Sequence, residues 1–422
     1  MIRVAIATLG CKTNAFESSA IAGQFGISNH IIVPFDDPAD IYIINTCTVT
    51  GRTDFKSRNL IRKALKRKEE DPSIRIVVTG CFAQRNPDEI RQMGEIDLIV
   101  DNQNKQDIAQ LLDSLDYQFT DIMAATDYSF RPVLRMVEHS RAFQKIQDGC
   151  DFRCAYCAIP YGRGNSRSAS IGDIITQAKL FVDSGYREIV LGGVNLGLYR
   201  DGNNGLAEVV EALQRVEGLE LIRLSSLEPM LVTSGLLARL RSCSKLCPHF
   251  HLALQSGCDS VLKRMGRRQG TAEFKQLVSG ILSLWPDAAI GLDVITGFPG
   301  ETETEFDTTH NFLRGLDIAY LHVFSFSRRP GTPAAEMSCQ IPNQEKSRRT
   351  SILTGLSTQK KEAYKQKLIQ DGIPLSGVCE SIEEGLGTCL SDHYIRAYKS
   401  GGVRQNEVFR IIPRQLHRDG LI

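Results

Sequence analysis

A chain of 422 residues is long enough for two or three domains, each with its own buried core. Its make-up, 42% hydrophobic and 23% charged with a formal net charge of +1, is that of a soluble globular protein. It lacks a global basic signature, so any nucleic-acid contact would rest on local patches.

The chain opens directly into a strand-like run, Val4-Ala5-Ile6-Ala7, without the basic start and apolar core of a signal peptide. No apolar run approaches the roughly 20 residues of a membrane span, so a cytoplasmic location without membrane contact is expected. Up to about residue 125, strand patterns at 2–8, 41–45, 74–79 and 96–100 alternate with amphipathic segments, among them a basic run from Lys56 to Lys68. That alternation predicts a parallel α/β sheet. A polar, weakly patterned stretch follows, with 126–140 read as a linker. From 141 to 372 the alternation resumes, with strands at 142–147, 188–191, 219–224, 249–254, 289–295 and 319–324. Helical segments at 171–184, 205–217, 231–242, 271–284 and 303–315 separate them, and a long charged helix at 343–370 closes the region. Six β/α units predict a barrel or partial barrel. In 373–422, short strands at 377–380, 388–398 and 403–413 between Gly-rich turns predict a small antiparallel β-barrel.

Twelve cysteines are many for a cytosolic chain, where clustered thiols more often serve metals or catalysis than disulfides. Cys150, Cys154 and Cys157 have Cys-x3-Cys-x2-Cys spacing just after the first strand of the second domain. Three thiolates on a short loop suit a 4Fe–4S cube with one iron left open. The open iron can chelate S-adenosylmethionine (SAM), whose reductive cleavage gives a 5′-deoxyadenosyl radical. The competing readings are three structural thiols or a zinc loop lacking its fourth ligand. Cys11, Cys47 and Cys81 are far apart in sequence, yet each follows the carboxyl end of a predicted strand. In an open parallel sheet those ends gather on one edge, where ligands bind, so a second cluster is expected there. The alternative is three small buried apolar residues. Cys243 and Cys247 are read as packing ahead of a metal pair, and Cys258, Cys339, Cys379 and Cys389 as structural or incidental. His249 and His251 share one face of a strand and are read as packing residues.

The residues also resemble a known family. Thr8-Leu9-Gly10-Cys11-Lys12-Thr13-Asn14, Asn45-Thr46-Cys47-Thr48-Val49-Thr50 and Thr79-Gly80-Cys81 are similar to the opening blocks of the methylthiotransferases. So are Cys157 through Pro160-Tyr161-Gly162-Arg163-Gly164 to Arg167-Ser168, Ser225-Ser226-Leu227-Glu228-Pro229, Leu254-Gln255-Ser256-Gly257, Gly297-Phe298-Pro299-Gly300-Glu301 and Arg329-Pro330-Gly331-Thr332. The match covers nearly the whole chain. It departs at Cys258, at Gln269-Gly270, at Arg200 and in a short terminal domain. The resemblance implies a flavodoxin-like N-terminal domain, a partial TIM-like radical-SAM barrel of (β/α)6 type and a C-terminal TRAM-like barrel. Cys11-Lys12-Thr13-Asn14 and Gly192-Gly193-Val194-Asn195-Leu196-Gly197-Leu198-Tyr199 look most like the MtaB-type branch, which acts on N6-threonylcarbamoyladenosine at position 37 of tRNA. Sister branches act on isopentenyladenosine in tRNA or on a ribosomal-protein aspartate.

The resemblance further implies that the radical made at Cys150, Cys154 and Cys157 takes hydrogen from C2 of the adenine. The cluster on Cys11, Cys47 and Cys81 then presents sulfur, methylated by a second SAM. Gly192, Gly193, Ser226, Glu228, Gln255 and Ser256 stand at or past strand ends, where barrel sites form; each is a candidate SAM contact or equally a turn residue. Arg163 and Arg167, beside the radical loop, are candidate contacts to a tRNA anticodon stem-loop. The Lys56–Lys68 run and the C-terminal Arg396, Lys399, Arg404, Arg410, Arg414 and Arg418 are further phosphate candidates. An electron donor of flavodoxin or ferredoxin type completes the expected partners.

Overall fold

The computed structural model describes residues 1–422 except 26–29, 115–116 and 137–138. Near-continuous apolar runs become strands buried on both faces. They are β1 (Ile2–Thr8), β3 (Ile41–Thr46) and β4 (Arg75–Gly80), flanked by the short β2 (His30–Val33) and β5 (Leu98–Ile99). All five pair in parallel in the order β2-β1-β3-β4-β5, the flavodoxin-like order with its switch point between β1 and β3. Helices α1 (Lys12–Phe25), α2 (Gly51–Glu70), α3 (Cys81–Arg85), α4 (Pro87–Arg91) and α5 (Ile108–Leu111) complete this part. A capping box fixes the start of α2: the Thr53 amide donates to the Thr50 hydroxyl at 3.3 Å, and the Thr50 amide to the Thr53 hydroxyl at 3.0 Å.

The stretch expected to be a linker is packed instead. Gln177 clamps Val133, accepting from its amide at 2.8 Å and donating to its carbonyl at 2.6 Å. Val133 and Met136 are buried, and the Tyr128 hydroxyl donates to the Lys145 carbonyl. Isolated anchors of this kind leave no periodicity to read.

The second region holds β6 (Ala142–Lys145), β7 (Gln147–Asp148), β8 (Arg167–Ser168), β9 (Glu188–Gly192), β10 (Leu221–Leu224), β11 (His249–Gln255), β12 (Ala289–Thr296) and β13 (Tyr320–Ser325). Apart from the antiparallel ribbon β7–β8, these run parallel in two sheets, β6-β9-β10 and β11-β12-β13. Single bridges at Ile222–Leu246 and Leu227–Leu252 join the sheets. Among the described residues β6 and β13 do not pair, so the barrel is partial. Helix α1 packs along β6, lending Phe16 and Ala20 to the barrel's core. Around the strands lie α6 (Ile159–Arg163), α7 (Ile171–Asp183), α8 (Leu206–Leu213), α9 (Ser234–Arg241), α10 (Asp259–Arg264), α11 (Thr271–Leu284), α12 (Glu303–Gly315), α13 (Pro333–Glu336) and α14 (Asn343–Gln370). Side chains such as Phe181, Phe250 and Phe274 are fully buried between strands and helices, each worth about 1.5–3 kcal/mol. No helix among the described residues is long and apolar enough to cross a membrane.

The last part is β14 (Leu375–Val378), β15 (Ser381–Glu383), β16 (Leu386–Leu390), β17 (Arg396–Ser400), β18 (Val408–Ile411), β19 (Leu416–His417) and β20 (Gly420–Leu421). It departs from an all-antiparallel barrel. β14 pairs only with β18, and the other five form a sheet in which β17 and β20 run parallel. The expected strand 388–398 breaks at a turn spanning 391–394. That turn docks under the barrel. The Ser391 and Asp392 carbonyls accept from Arg223 at 2.9 and 3.2 Å, and Tyr394 stacks on His249 with centroids 4.3 Å apart. His393 bridges Asp392 at 2.8 Å and Asp287 at 3.0 Å.

Burial alone would lower the pKa of His393, but its hydrogen bonds to Asp287 and Asp392 outweigh this and push it up to about 9. A folded value above the ordinary imidazole value means the contribution is complete below about pH 6.5 and lost as pH rises through about 9. The docking of 373–422 is expected to weaken by about 2–3 kcal/mol across that window. Hydrogen exchange of β14 and β16 at pH 6.5 and 9 measures it, and His393→Gln removes most of the pH dependence.

Candidate functional site

The loop between β7 and α6 carries Cys150, Cys154 and Cys157, all partly buried free thiols. Gly149 takes φ +69°, and a side chain there would strike the Asn165 backbone. The Cys150 amide donates to the Gly164 carbonyl at 3.0 Å, Cys157 to Cys154 at 3.0 Å, and Ala155 to Met265 at 2.9 Å. These bonds fold the loop around its own sulfurs. The Phe152 amide lies 3.4 Å from the Cys150 sulfur, Asn195 Nδ2 3.9 Å from it, and Arg267 3.8 Å from the Cys154 sulfur. Burial raises the pKa of Cys150 and pushes Cys157 up to about 12, so this pocket favours thiolate only against an added cation. Asn195 Oδ1 and Ser225 Oγ, just past β9 and β10, are buried without partners among the described residues. Three soft sulfur donors beside open polar groups fit an iron–sulfur cluster with a polar ligand on its free iron.

The candidate SAM contacts divide. Glu228 lies with Cys154, Phe152 and Arg267 around a pocket of about 170 Å3. Arg267, which the sequence did not single out, grips both Glu228 oxygens at 2.6 and 2.7 Å and donates to the Ala253 carbonyl. Burial raises the Glu228 pKa, with Arg267 opposing it. Gly192 ends β9, and Gly193 lies against Gln147, which accepts from the Asn195 amide at 2.8 Å. Ser226 is half-buried beyond β10, and Gln255 holds φ +75° at an irregularity in β11. Ser256 takes the turn role: its hydroxyl pairs with Thr309 at 3.1 Å and accepts from the Cys258 amide, so it ties the turn to α12.

The sheet edge brings the other three cysteines together. Cys11 is exposed at the mouth, while Cys47 and Cys81 are buried. A side chain at Gly10, which has φ +100°, would collide with the Cys47 sulfur. Burial first, then the neighbouring Cys81 and Cys11, push Cys47 up to about 11. Asn14 Nδ2 spans the loops, donating to the Leu9 carbonyl at 2.7 Å and the Thr46 carbonyl at 3.0 Å. This donor set, too, fits a cluster with one open iron.

A buried charge cluster joins the two triads. Glu17 of α1 is wholly enclosed and accepts from Arg163 at 2.9 Å, from Lys145 at 2.8 Å and from Lys105. Asp148, two residues before Cys150, accepts from Arg163 at 2.9 Å and Lys145 at 3.1 Å. Burial would raise the pKa of Glu17, but Arg163, Lys105 and Lys145 hold it well below the carboxylate range. Lys105 donates to Asn102, and Asn102 Nδ2 lies 3.8 Å from the Cys81 sulfur. Helix α6, which follows Cys157, packs on α3, which opens with Cys81; a Cβ at Gly162 would lie in van der Waals contact with Cys81.

The expected role of Arg163 and Arg167 as phosphate contacts is therefore corrected. Both are buried: Arg163 is spent on Glu17, Asp148 and Asn14, and Arg167 donates to the Asn165 carbonyl. Most of the Lys56–Lys68 run is also engaged, with Arg58 on Glu89, Lys63 on Asp36, Arg67 on Tyr42 and Lys68 on Asp97. Arg404, Arg410 and Arg414 stay exposed. Cys243 and Cys247 are buried, the Cys243 sulfur 3.8 Å from the Arg239 carbonyl. His249 and His251 do more than pack, since both bond the Tyr320 hydroxyl and His251 pairs with Asp293 at 2.8 Å.

Residues 3–101 match the family model described as Uncharacterized protein family UPF0004, and residues 145–313 match the Radical SAM superfamily. The chain is 35% identical to the Threonylcarbamoyladenosine tRNA methylthiotransferase MtaB of Aquifex aeolicus (strain VF5), covering 97% of this chain and 100% of that protein. It is 37% identical to the protein of the same name from Bacillus subtilis (strain 168), over 95% and 91%. A tRNA-2-methylthio-N(6)-dimethylallyladenosine synthase of Jannaschia sp. (strain CCS1) is 31% identical over 86% and 81%. Among solved structures, the fold is similar to the radical S-adenosylmethionine methyltransferase TsrM from Kitasatospora setae, with TM-score 0.61 and 12% identity over 79% and 77% of the chains.

Removing the Glu17 carboxylate leaves the buried Lys105 without an anion, and Lys145 and Arg163 with Asp148 alone between them. Glu17→Ala is expected to cost about 3–5 kcal/mol. Urea unfolding checks it, and a midpoint equal to that of the unmutated chain would show the cluster to be energetically idle.

Proposed function

The chain belongs to the radical SAM methylthiotransferases, and on that premise we propose that it converts N6-threonylcarbamoyladenosine at position 37 of tRNA to its 2-methylthio form. The observation that carries the reading is the meeting of two cysteine triads across one buried interface, each at the carboxyl ends of parallel strands. Relatives named for this activity, at 33–37% identity over nearly the whole chain, support it.

Cys150, Cys154 and Cys157 would hold one 4Fe–4S cluster, and Cys11, Cys47 and Cys81 the other. When bound, the clusters and SAM supply the electron, the radical, the sulfur and the methyl group. A hydrogen on an aromatic carbon such as adenine C2 has no acid–base route at neutral pH, so this chemistry suits the substrate. The chain's own part is placement. Asn195 and Arg267 donate toward the sulfurs of the radical loop. Gly192, Gly193, Ser226, Glu228 and Gln255 surround the strand ends where SAM would lie. Asn14 and the Glu17 cluster hold the second triad against the first. The exposed Arg404, Arg410 and Arg414 support a TRAM-like grip of 373–422 on the phosphates of an anticodon stem-loop, with an unstacked base presented to the site. A cytoplasmic location and a flavodoxin- or ferredoxin-type electron donor belong to the same reading.

Anaerobically reconstituted protein is expected to bind about eight irons, and the Cys150, Cys154 and Cys157 to Ala triple variant about half of them. Replacing Cys11, Cys47 and Cys81 is expected to abolish product while 5′-deoxyadenosine still forms; loss of both in a folded protein would refute the division between the triads. The substrate is tested by offering tRNA carrying threonylcarbamoyladenosine, tRNA carrying isopentenyladenosine, and the ribosomal protein. Methylthiolation of the first alone is expected, weakening steeply with salt. Turnover of another with the first untouched moves the chain to a sister branch.

A further inference from the structure

Lys12 opens α1, one residue past Cys11. Its ammonium lies 6.0 Å from the centroid of the Phe143 ring on β6. On that strand Gln144 turns outward to donate to the Ile174 carbonyl of α7, so Phe143 and Lys145 face the barrel's interior. Lys12 therefore reaches from the second triad into the barrel.

The charged groups around it are Arg223, Arg141 and Glu188. Arg223 is paired with Glu188 at 2.8 Å, and Arg141 with Glu380 at 2.9 Å. Asp293 is paired with His251, and Lys145, on the same face of β6 as Phe143, with Glu17 and Asp148. Lys12 has no ion pair or hydrogen bond among the described residues. Lys12 is thus a cation without an anionic partner, where each of these neighbouring cations has one. Glu188, at the start of β9, is wholly buried and is spent on Arg223 through Oε1. An ammonium that reaches into the barrel without an ion pair suits a ligand carrying a carboxylate.

Resting on the function proposed above, we infer that Lys12 is the specificity-determining residue that pairs with the threonyl carboxylate of the substrate base. That carboxylate is the one formal charge separating threonylcarbamoyladenosine from an isopentenyl base. Adenine C2 and N6 lie along the same edge of the ring. A base offered at C2 to the Cys11 triad therefore leaves its N6 substituent within reach of a neighbouring lysine. A carboxylate there forms a charge-assisted bond to Lys12.

The test compares two anticodon stem-loops, one carrying threonylcarbamoyladenosine and one carrying its neutral threoninamide counterpart. The readout is the ratio of their kcat/KM values in the reconstituted full chain. The ratio cancels any loss of active enzyme, because both substrates meet the same active population. The unmutated chain is expected to prefer the acid by about tenfold or more. Lys12→Met is expected to bring the ratio close to one, and Lys12→Arg to restore most of it. A Lys12→Met ratio equal to that of the unmutated chain overturns the inference, as does an unmutated chain that does not distinguish acid from amide. Turnover of the isopentenyl stem-loop with both threonyl substrates untouched overturns the proposed function itself, and this inference falls with it.

Discussion

Glu17 carries a negative charge that water does not reach, and cations from three separate stretches of the chain converge on it. An unpaired carboxylate in that place would cost many kcal/mol, so the partners must all arrive together. Lys105 comes from beyond the last strand of the first sheet, Lys145 from the first barrel strand, and Arg163 from the helix after the radical loop. Meeting that one condition sets the docking of two domains. It also sets the place of both triads, because Arg163 follows Cys157 by six residues and Lys105 reaches Cys81 through Asn102. The site is therefore a property of the interface rather than of either sheet.

What the sequence disclosed follows from the range of the interactions. The radical triad is local, three thiols within eight residues, and its spacing alone points to a cluster. The second triad became visible because each cysteine follows a strand whose apolar run is unmistakable, and parallel order then gathers the strand ends. Arg163 was legible as important and misread in role. Its neighbours in sequence belong to a loop, whereas its partners Glu17 and Asn14 lie 146 and 149 residues away. For Ser256 the sequence left a SAM contact and a turn role equally open, since its partner Thr309 lies 53 residues on. The four-residue edge strand β2 and the turn at 391–394 carry no periodic signal, and their conformations are set by what they touch.

A closed β/α barrel fills its interior with branched aliphatic side chains. The partial barrel here cannot do so, because one side is open. Its inward positions instead carry Glu188, Arg223, His249, His251, Asp293 and Tyr320. Polar groups in that position need partners, and the neighbouring domains supply them. The terminal turn gives carbonyls to Arg223 and the Tyr394 ring to His249. Helix α1 covers β6 and brings Lys12 to Phe143. Floor and side wall thus come from outside the barrel.

The balance of buried charge bears on the triads as well. Around Glu17 and Asp148 stand Lys105, Lys145, Arg163 and Arg167, two anions facing four cations. Such an excess is unfavourable in a dry interface unless further negative charge lies close by. Cys81 lies against the cluster through Asn102. As a neutral thiol it balances nothing; as a metal-bound thiolate it carries the missing sign. The charges that dock the domains therefore also stand against Cys81, so the interface and the second triad are built from one set of residues.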